Sequence, residues 1–336
     1  MTTRDRDLDN LRKTLTTVDL SEVSENVQCI STGVISFDLA MGGGWPESRI
    51  SELGGMWQTG KSLIAYQSIR ECQKSGGIAF LDDAERAFDK RWARIIGVNL
   101  DDLFLYNSTS LEDGFEHLEK ACTAVRESPS FANCPVLYVK DSLEASIAMD
   151  EMKKSLTETG GVALRARSIS RGLRRLTNLI ADQRMSVLFI NQLRTKIGVM
   201  FGDPDETSGG KAPKYYSGMR VALRPGGKIK VDEKVVGFKC SFEVIKSKIG
   251  VPFKKVHFEL MLNRGIHSMS GLLPYLLSEG VITKPTTKSY QFGDVRFPST
   301  DFPKVWEEKK VEIVVALKIL NEAPMEDVVA EESEDG

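Results

Sequence analysis

Residues 50–64 read ISELGGMWQTGKSLI, and this stretch restricts the possible folds more than any other part of the chain. A short apolar run leads into Gly55, four residues separate Gly55 from Gly60, and Lys61 and Ser62 follow at the start of a helix-forming stretch. A strand that turns through glycines directly into a helix is the first half of a β–α–β unit, so an α/β fold follows. The turn also has a chemical consequence. Glycine lets successive backbone N–H groups point inward at an anion, and the helix aims its positive end at the same place. The whole loop (Gly55, Met56, Trp57, Gln58, Thr59, Gly60, Lys61, Ser62) is therefore a candidate nucleotide cradle. Lys61 would reach the β- and γ-phosphates of ATP, and the Ser62 hydroxyl would ligate Mg2+. The plain alternative, a tight turn into a helix, does not account for a lysine directly after the glycine.

Apolar runs at residues 50–53, 77–81, 136–139 and 187–190 are expected to be buried strands, alternating with helices over 61–75, 111–128 and 164–184. That order predicts a mainly parallel central sheet in a P-loop ATPase core spanning 31–262. Later strands at 219–223 and 242–245 are separated by short turns such as Pro225–Gly227 and are expected to pair antiparallel at one edge. Residues 263–322 read as a small α+β domain: a helix over 270–279, a strand pair within 283–303 and a charged amphipathic helix over 305–320. Residues 1–30 form a polar segment with Leu8, Leu11, Leu15 and Val18 at weak helical spacing. This pattern suits either a short helix seeking a partner surface or a frayed terminus. The tail at 323–336 carries six acidic and no basic residues, the composition of a disordered segment.

The net charge of −2 on 336 residues excludes a globally basic field, so any nucleic-acid contact must be local. The five cysteines have neither metal-ligand spacing nor an even count, and they read as free thiols of a reducing compartment. The charged N-terminus has no apolar signal region and no run is long enough to span a bilayer, so a cytoplasmic protein with no membrane partner is expected.

ATP hydrolysis needs carboxylates beside the phosphate loop. The strand at 136–139 runs into Asp141, a candidate partner of Ser62 for the metal. The strand at 77–81 runs into Asp82, Asp83 and Glu85. Ligands bind at this carboxyl edge in open α/β sheets. Glu85 is the candidate general base that orients the attacking water, whereas Asp82 and Asp83 are expected to cap the chain that follows. Gln192, at the end of another strand, could sense the γ-phosphate. Beyond it lies a long glycine-rich loop. Met200 and Phe201 are suited to wedging between bases there, and Lys196 and Lys211 to meeting DNA phosphate.

The runs ISTG at 30–33, FLDDAERAFD at 80–89, FINQLRTKIGVMFG at 189–202 and KSKIGVPFK at 246–254 occur in order, and with them the chain resembles the bacterial RecA recombinases, including phage-encoded ones, over residues 28–320. The resemblance implies a DNA-dependent ATPase that polymerises as a helical homopolymer on single-stranded DNA and pairs it with duplex DNA. It implies Glu85 as catalytic glutamate, Asp141 at the metal and Gln192 as the link from γ-phosphate to DNA loop. Asp89 and Trp92 fall where the family contacts adenine. Lys246 and Lys248 match the lysines that reach a neighbour's ATP across the filament interface. Arg167, Ser170 and Arg174 fall on the helix after the first DNA loop, and Lys153 and Lys154 lie in that loop. Spacing alone would make this helical face ordinary solvated charge. The chain departs from the family in the loop interior, Met56–Thr59, in the lysine-bearing first DNA loop at 152–161, and in a shorter N-terminal segment. Two other readings stay open at this stage: a filament-forming scaffold that uses ATP as a structural ligand, and a related hexameric helicase-type motor.

Overall fold

The computed structural model describes residues 27–154, 161–195, 205–207 and 210–322. In chain order these form β1 (Cys29–Ile30), α1 (Ile35–Met41), β2 (Trp45–Pro46), β3 (Arg49–Gly55), α2 (Lys61–Lys74), β4 (Ile78–Asp83), α3 (Lys90–Ile96), β5 (Leu103–Tyr106), α4 (Leu111–Glu127) and β6 (Val136–Asp141). Then follow α5 (Met149–Met152), α6 (Gly161–Asp182), β7 (Ser186–Thr195), β8 (Asp205–Thr207), α7 (Ala212–Tyr216), β9 (Met219–Val231), β10 (Lys234–Ser247), β11 (Lys255–Met261) and β12 (Gly265–Ile266). The remaining elements are α8 (Leu272–Ser278), β13 (Thr283–Thr286), β14 (Ser289–Phe292), β15 (Val295–Phe297) and α9 (Phe302–Glu322).

The main sheet has the strand order β12-β11-β10-β9-β3-β7-β6-β4-β5. Along this path from β9 to β5 each neighbouring pair is parallel, β8 pairs antiparallel with the end of β7 off the path, and β10, β11 and β12 extend the sheet as an antiparallel edge. Both faces of the parallel part are covered, which is why its strands read as continuous apolar runs. Alternation still decides which side chain goes where. Ala79, Leu81, Leu137, Val139, Leu188 and Ile190 join the core under α2, while Ile78, Phe80, Val136, Tyr138, Val187 and Phe189 join the core under α4 and α6. On α6 the residues Ile169, Leu173, Leu176 and Ile180 recur at helical spacing and are all buried. Truncating one such side chain to alanine costs about 2–5 kcal/mol. Helix α4 starts where Ser110 Oγ accepts the Asp113 N–H at 3.1 Å, with Glu112 and Asp113 in the first turn and Arg126 in the last, the arrangement its macrodipole favours.

Two details differ from the sequence expectation. Pro225–Gly227 is not a turn. It lies inside β9, where the β9–β10 register shifts, and the hairpin turns instead at Asp232 and Glu233, both at positive φ. A proline is tolerated at such an irregularity, and a two-residue loop with positive φ at both positions matches the strand twist. The segment expected to be a strand pair forms three antiparallel strands, β13–β15, followed by α9. Phe297, Phe302, Val305, Trp306, Ile313 and Leu317 from this region join the same core as α2. The amphipathic reading of Leu8, Leu11, Leu15 and Val18 and the acidic tail at 323–336 fall outside the described residues.

Candidate nucleotide site and its surroundings

Strand β3 ends at Gly55 and α2 begins at Lys61, so the loop lies at the carboxyl edge of the central parallel strands. Glycine is required at two points. A Cβ on Gly55 would come within 2.7 Å of Thr59 Oγ1, and Gly60 sits at φ 89° with Leu260 2.5 Å from where its Cβ would be. Thr59 Oγ1 donates to the Met56 carbonyl at 2.8 Å and closes the loop. The Lys61 ammonium donates to the Gly55 and Met56 carbonyls at 3.0 and 2.9 Å, folded back over the loop. Burial lowers the Lys61 pKa from its ordinary value, opposed by the charges of Asp141, Glu85 and Glu144.

Across from the loop, β4 and β6 are neighbours and deliver two carboxylates. Ser62 Oγ donates to Asp141 Oδ2 at 2.7 Å, and Ser142 Oγ donates to Glu85 Oε1 at 2.6 Å. The Asp141 carbonyl accepts the Ala84 and Glu85 N–H groups at 2.8 and 3.3 Å, stitching the two strand ends together. Burial pushes the Asp141 carboxyl up to about 6, with Glu85 and Asp83 adding to the shift and Ser62 and Lys61 opposing it. Loop, carboxylates and the surrounding side chains line a cavity of about 620 Å3, reached by Trp57, Gln58, Tyr66, Asp89, Trp92 and Gln192. Trp92 is half-buried, and Asp89 caps α3 by accepting the Arg91 and Trp92 N–H groups at 2.8 and 3.0 Å. Gln192 pairs in register with Gly55 and points its exposed side chain at the same cavity. Beneath it, buried Glu52 accepts from Asn191 Nδ2 at 3.0 Å and from Arg220 Nε at 2.6 Å.

Ser62, Asp141 and Glu85 supply hard oxygen donors, the ligand type Mg2+ takes. Among the described residues no group of three or more His, Cys, Asp or Glu is placed to hold a metal ion. A donor set of one hydroxyl and one carboxylate beside a phosphate cradle suits an ion that completes its shell with phosphate oxygens and water.

The other singled-out residues lie elsewhere. Lys246 does not line the cavity. Its ammonium donates to the Lys214 and Tyr215 carbonyls at 2.9 and 3.3 Å, at the C-terminus of α7, and burial, Lys248 and Arg220 lower its pKa. Lys248 is exposed nearby, with its N–H on the Gly218 carbonyl at 3.0 Å. On α6, Arg167 and Arg174 are exposed and Ser170 is half-buried. Lys153 is exposed and pairs with Asp150 at 3.2 Å, Lys154 N donates to the Glu151 carbonyl, and Lys211 is exposed at the start of α7. Lys196, Met200 and Phe201 lie outside the described residues. The expectation for Asp82 and Asp83 is corrected in part. Asp83 accepts the Ala87 and Phe88 N–H groups and shapes the following turn, but Asp82 is buried against Lys140 at 2.5 Å. Sequence reasoning missed Ser142, Lys140 and Asp38, and the only signal for Ser142 was its place directly after Asp141.

A phosphate loop between a parallel strand and its helix, faced by two carboxylates at the carboxyl edge, defines a P-loop ATPase. The RecA N-terminal domain family matches residues 10–267. Protein RecA of Rhodopirellula baltica is 36% identical over 319 residues, covering 92% of this chain and 82% of that protein. Protein RecA of Syntrophus aciditrophicus is 37% identical over 273 residues, covering 81% and 77%, and that of Parvibaculum lavamentivorans is 36% identical over 297 residues, covering 87% and 79%. The chain belongs to the RecA family, the ATP-dependent DNA recombinases of recombination and repair, and as such is a DNA-dependent ATPase. Among the described residues no helix is long and apolar enough to cross a membrane.

Proposed function

We propose that this chain polymerises as a helical filament on single-stranded DNA, pairs that strand with homologous duplex DNA, and uses ATP to assemble and hydrolysis to let go. The observation that carries the reading is the paired approach of Ser62 to Asp141 and of Ser142 to Glu85 on one cavity that also holds Lys61 and Gln192. In this reading Ser62 and Asp141 hold Mg2+, which neutralises phosphate charge when bound. Lys61 leaves its two carbonyls for phosphate oxygens. Glu85 orients the attacking water, and its exposed side chain at the cavity wall suits that role. Trp92 and Asp89 flank the base. Gln192 relays phosphate occupancy into the loop that follows β7, where Lys196, Met200, Phe201 and Lys211 meet DNA. Lys153, Lys154, Arg167, Ser170 and Arg174 form the second, mainly electrostatic, contact with it.

Lys246 and Lys248, remote from their own subunit's cavity, serve the ATP of the next subunit, so hydrolysis awaits assembly. The N-terminal 1–30 is the polymerisation segment, 31–262 the ATPase core, 263–322 a small α+β domain and 323–336 an acidic tail. Five unpaired thiols suit a reducing cytoplasm.

The test is the ATPase rate with and without single-stranded DNA, in the unaltered chain and in Glu85→Gln. Stimulation by DNA, lost in Glu85→Gln while nucleotide binding persists, is the expected result. A rate indifferent to DNA would remove the recombinase reading, and a rate indifferent to Glu85→Gln would remove the base assignment.

A further inference from the structure

Ser142 sits at the junction of two systems that the chemistry must keep in step. Its side chain is buried, and its hydroxyl has one proton and two lone pairs to place. The Ala145 N–H points at Ser142 Oγ from 3.2 Å and occupies one lone pair. A donor there leaves the hydroxyl proton for its other partner among the described residues, Glu85 Oε1 at 2.6 Å. Ser142 is thus the donor and Glu85 the acceptor by geometry, and one carboxylate oxygen of Glu85 is pinned.

The residue is itself held firmly. Its carbonyl accepts from Ser146 Oγ at 3.2 Å, and the next residue's N–H, that of Leu143, bonds the Ile190 carbonyl of β7 at 3.1 Å. Two residues beyond Ser142, the Glu144 carbonyl accepts from Arg165 Nη1 at 3.2 Å, while Arg165 Nη2 pairs with Glu151 at 3.1 Å. Glu151 lies on α5 and Arg165 on α6, the two helices that flank residues 153–160. Arg165 therefore clamps both sides of the first loop onto the short segment whose other end is Ser142.

We infer that Ser142 is a positioning residue for Glu85, and that Arg165 makes this positioning depend on the first loop. This rests on the proposed role of Glu85 as base. A carboxylate on an exposed turn samples several rotamers. One short charge-assisted bond fixes a single one, and misplacing a catalytic group by about 1 Å can cost on the order of 100-fold in rate. The route differs from that through Gln192: it leaves β6, meets β7 where the Leu143 N–H bonds the Ile190 carbonyl, and ends on α5 and α6.

The experiment measures kcat, KM for ATP and binding of a non-hydrolysable ATP analogue for Ser142→Ala, Glu85→Gln and the double variant, on single-stranded DNA. Ser142→Ala is expected to lower kcat by roughly 10- to 100-fold with KM and analogue binding within about twofold of the unaltered chain. In the Glu85→Gln background the same substitution is expected to cost less than about twofold, because the group it positions is gone. Equal losses in both backgrounds, or lost analogue binding, would overturn the inference by making Ser142 merely structural. An active Glu85→Gln would instead overturn the base assignment, a distinguishable outcome. Arg165→Gln is expected to reduce DNA-stimulated hydrolysis several-fold while leaving DNA-free hydrolysis and analogue binding unchanged. Equal effects on both rates, or on neither, would sever the first loop from the base.

Discussion

The Lys140 ammonium and the Asp82 carboxylate meet at 2.5 Å on adjacent parallel strands, with side chains 1% and 0% exposed. Ser108 completes the site. Its hydroxyl accepts from Lys140 at 2.9 Å, and its N–H donates to Asp82 at 3.0 Å. Burial lowers the Lys140 pKa while Asp82 opposes the shift, and with both side chains out of water each relies on the other as its charged partner.

Breaking this pair from one side should therefore hurt more than removing it whole. Lys140→Met leaves a buried carboxylate with a lost partner and is expected to destabilise the chain by about 3–5 kcal/mol. Asp82→Leu with Lys140→Met replaces both charges by apolar bulk and is expected to recover most of that loss. Denaturant unfolding of the three variants checks it. A double variant no more stable than Lys140→Met alone would show that the ion pair cannot be replaced as a unit.

The pair also shows what a sequence can and cannot reveal here. The strand runs at 77–81, 136–139 and 187–190 were legible because each strand is covered on both faces, and the loop at 55–62 because few sequences satisfy its backbone. Asp82 looks like a capping residue, and Lys140 carries no signal of its own, until β4 and β6 are seen as neighbours in register. Ser142 and Glu85 meet for the same reason, through a pairing that no local pattern encodes. The Pro225–Gly227 misreading has the opposite cause: a strong local turn signal was absorbed by a register shift inside a long hairpin. Strand β5, with Phe104 and Leu105 exposed, lacks the burial pattern that would have marked it.

Asp38 gives a pH prediction. It accepts from Ser31 Oγ at 2.5 Å and from Thr32 N and Oγ1 at 2.8 and 2.7 Å, but burial outweighs these bonds and pushes its carboxyl up from 3.8 to about 6. The folded chain therefore holds this proton more tightly than the unfolded chain does. The Asp38 contribution is most favourable below about 4 and is lost as pH rises to about 6, on the order of 3 kcal/mol at full effect. Relative to the unaltered chain, Asp38→Asn should gain stability steadily between about pH 4 and 6 and hold that gain above it. Melting curves at several pH values check this. A difference between the two chains that does not vary with pH would mean that Asp38 titrates normally.

Trp57 projects from the phosphate loop with 83% of its surface exposed, beside Gln58 at φ 58°. In the proposed filament, a large apolar ring at the rim of a nucleotide cavity suits burial by the next subunit. Trp57→Ala is expected to weaken assembly on single-stranded DNA by about 2 kcal/mol, roughly 30-fold, beyond any change in ATP-analogue binding to the isolated chain. Trp57→Phe should retain most of the assembly. Sedimentation with and without DNA separates these outcomes, and unaltered assembly in Trp57→Ala would place the ring in solvent throughout.

Lys246 is bound to the C-terminal carbonyls of α7, so serving a neighbour's ATP would require it to exchange those bonds for phosphate oxygens. Mixing two inactive chains tests this directly. Lys61→Ala removes the phosphate lysine but still offers Lys246, whereas Lys246→Ala keeps a complete loop but offers only Lys248 across the interface. Each alone is expected to lose about 100-fold or more of its DNA-dependent hydrolysis. In a head-to-tail polymer of equal, randomly ordered parts, about a quarter of the junctions pair an intact loop with an intact Lys246. Recovery to about that fraction of the unaltered rate is expected, and only when DNA is present. A mixture as inactive as its components, formed under conditions where both chains co-sediment with DNA, would confine Lys246 to holding α7 in its own subunit.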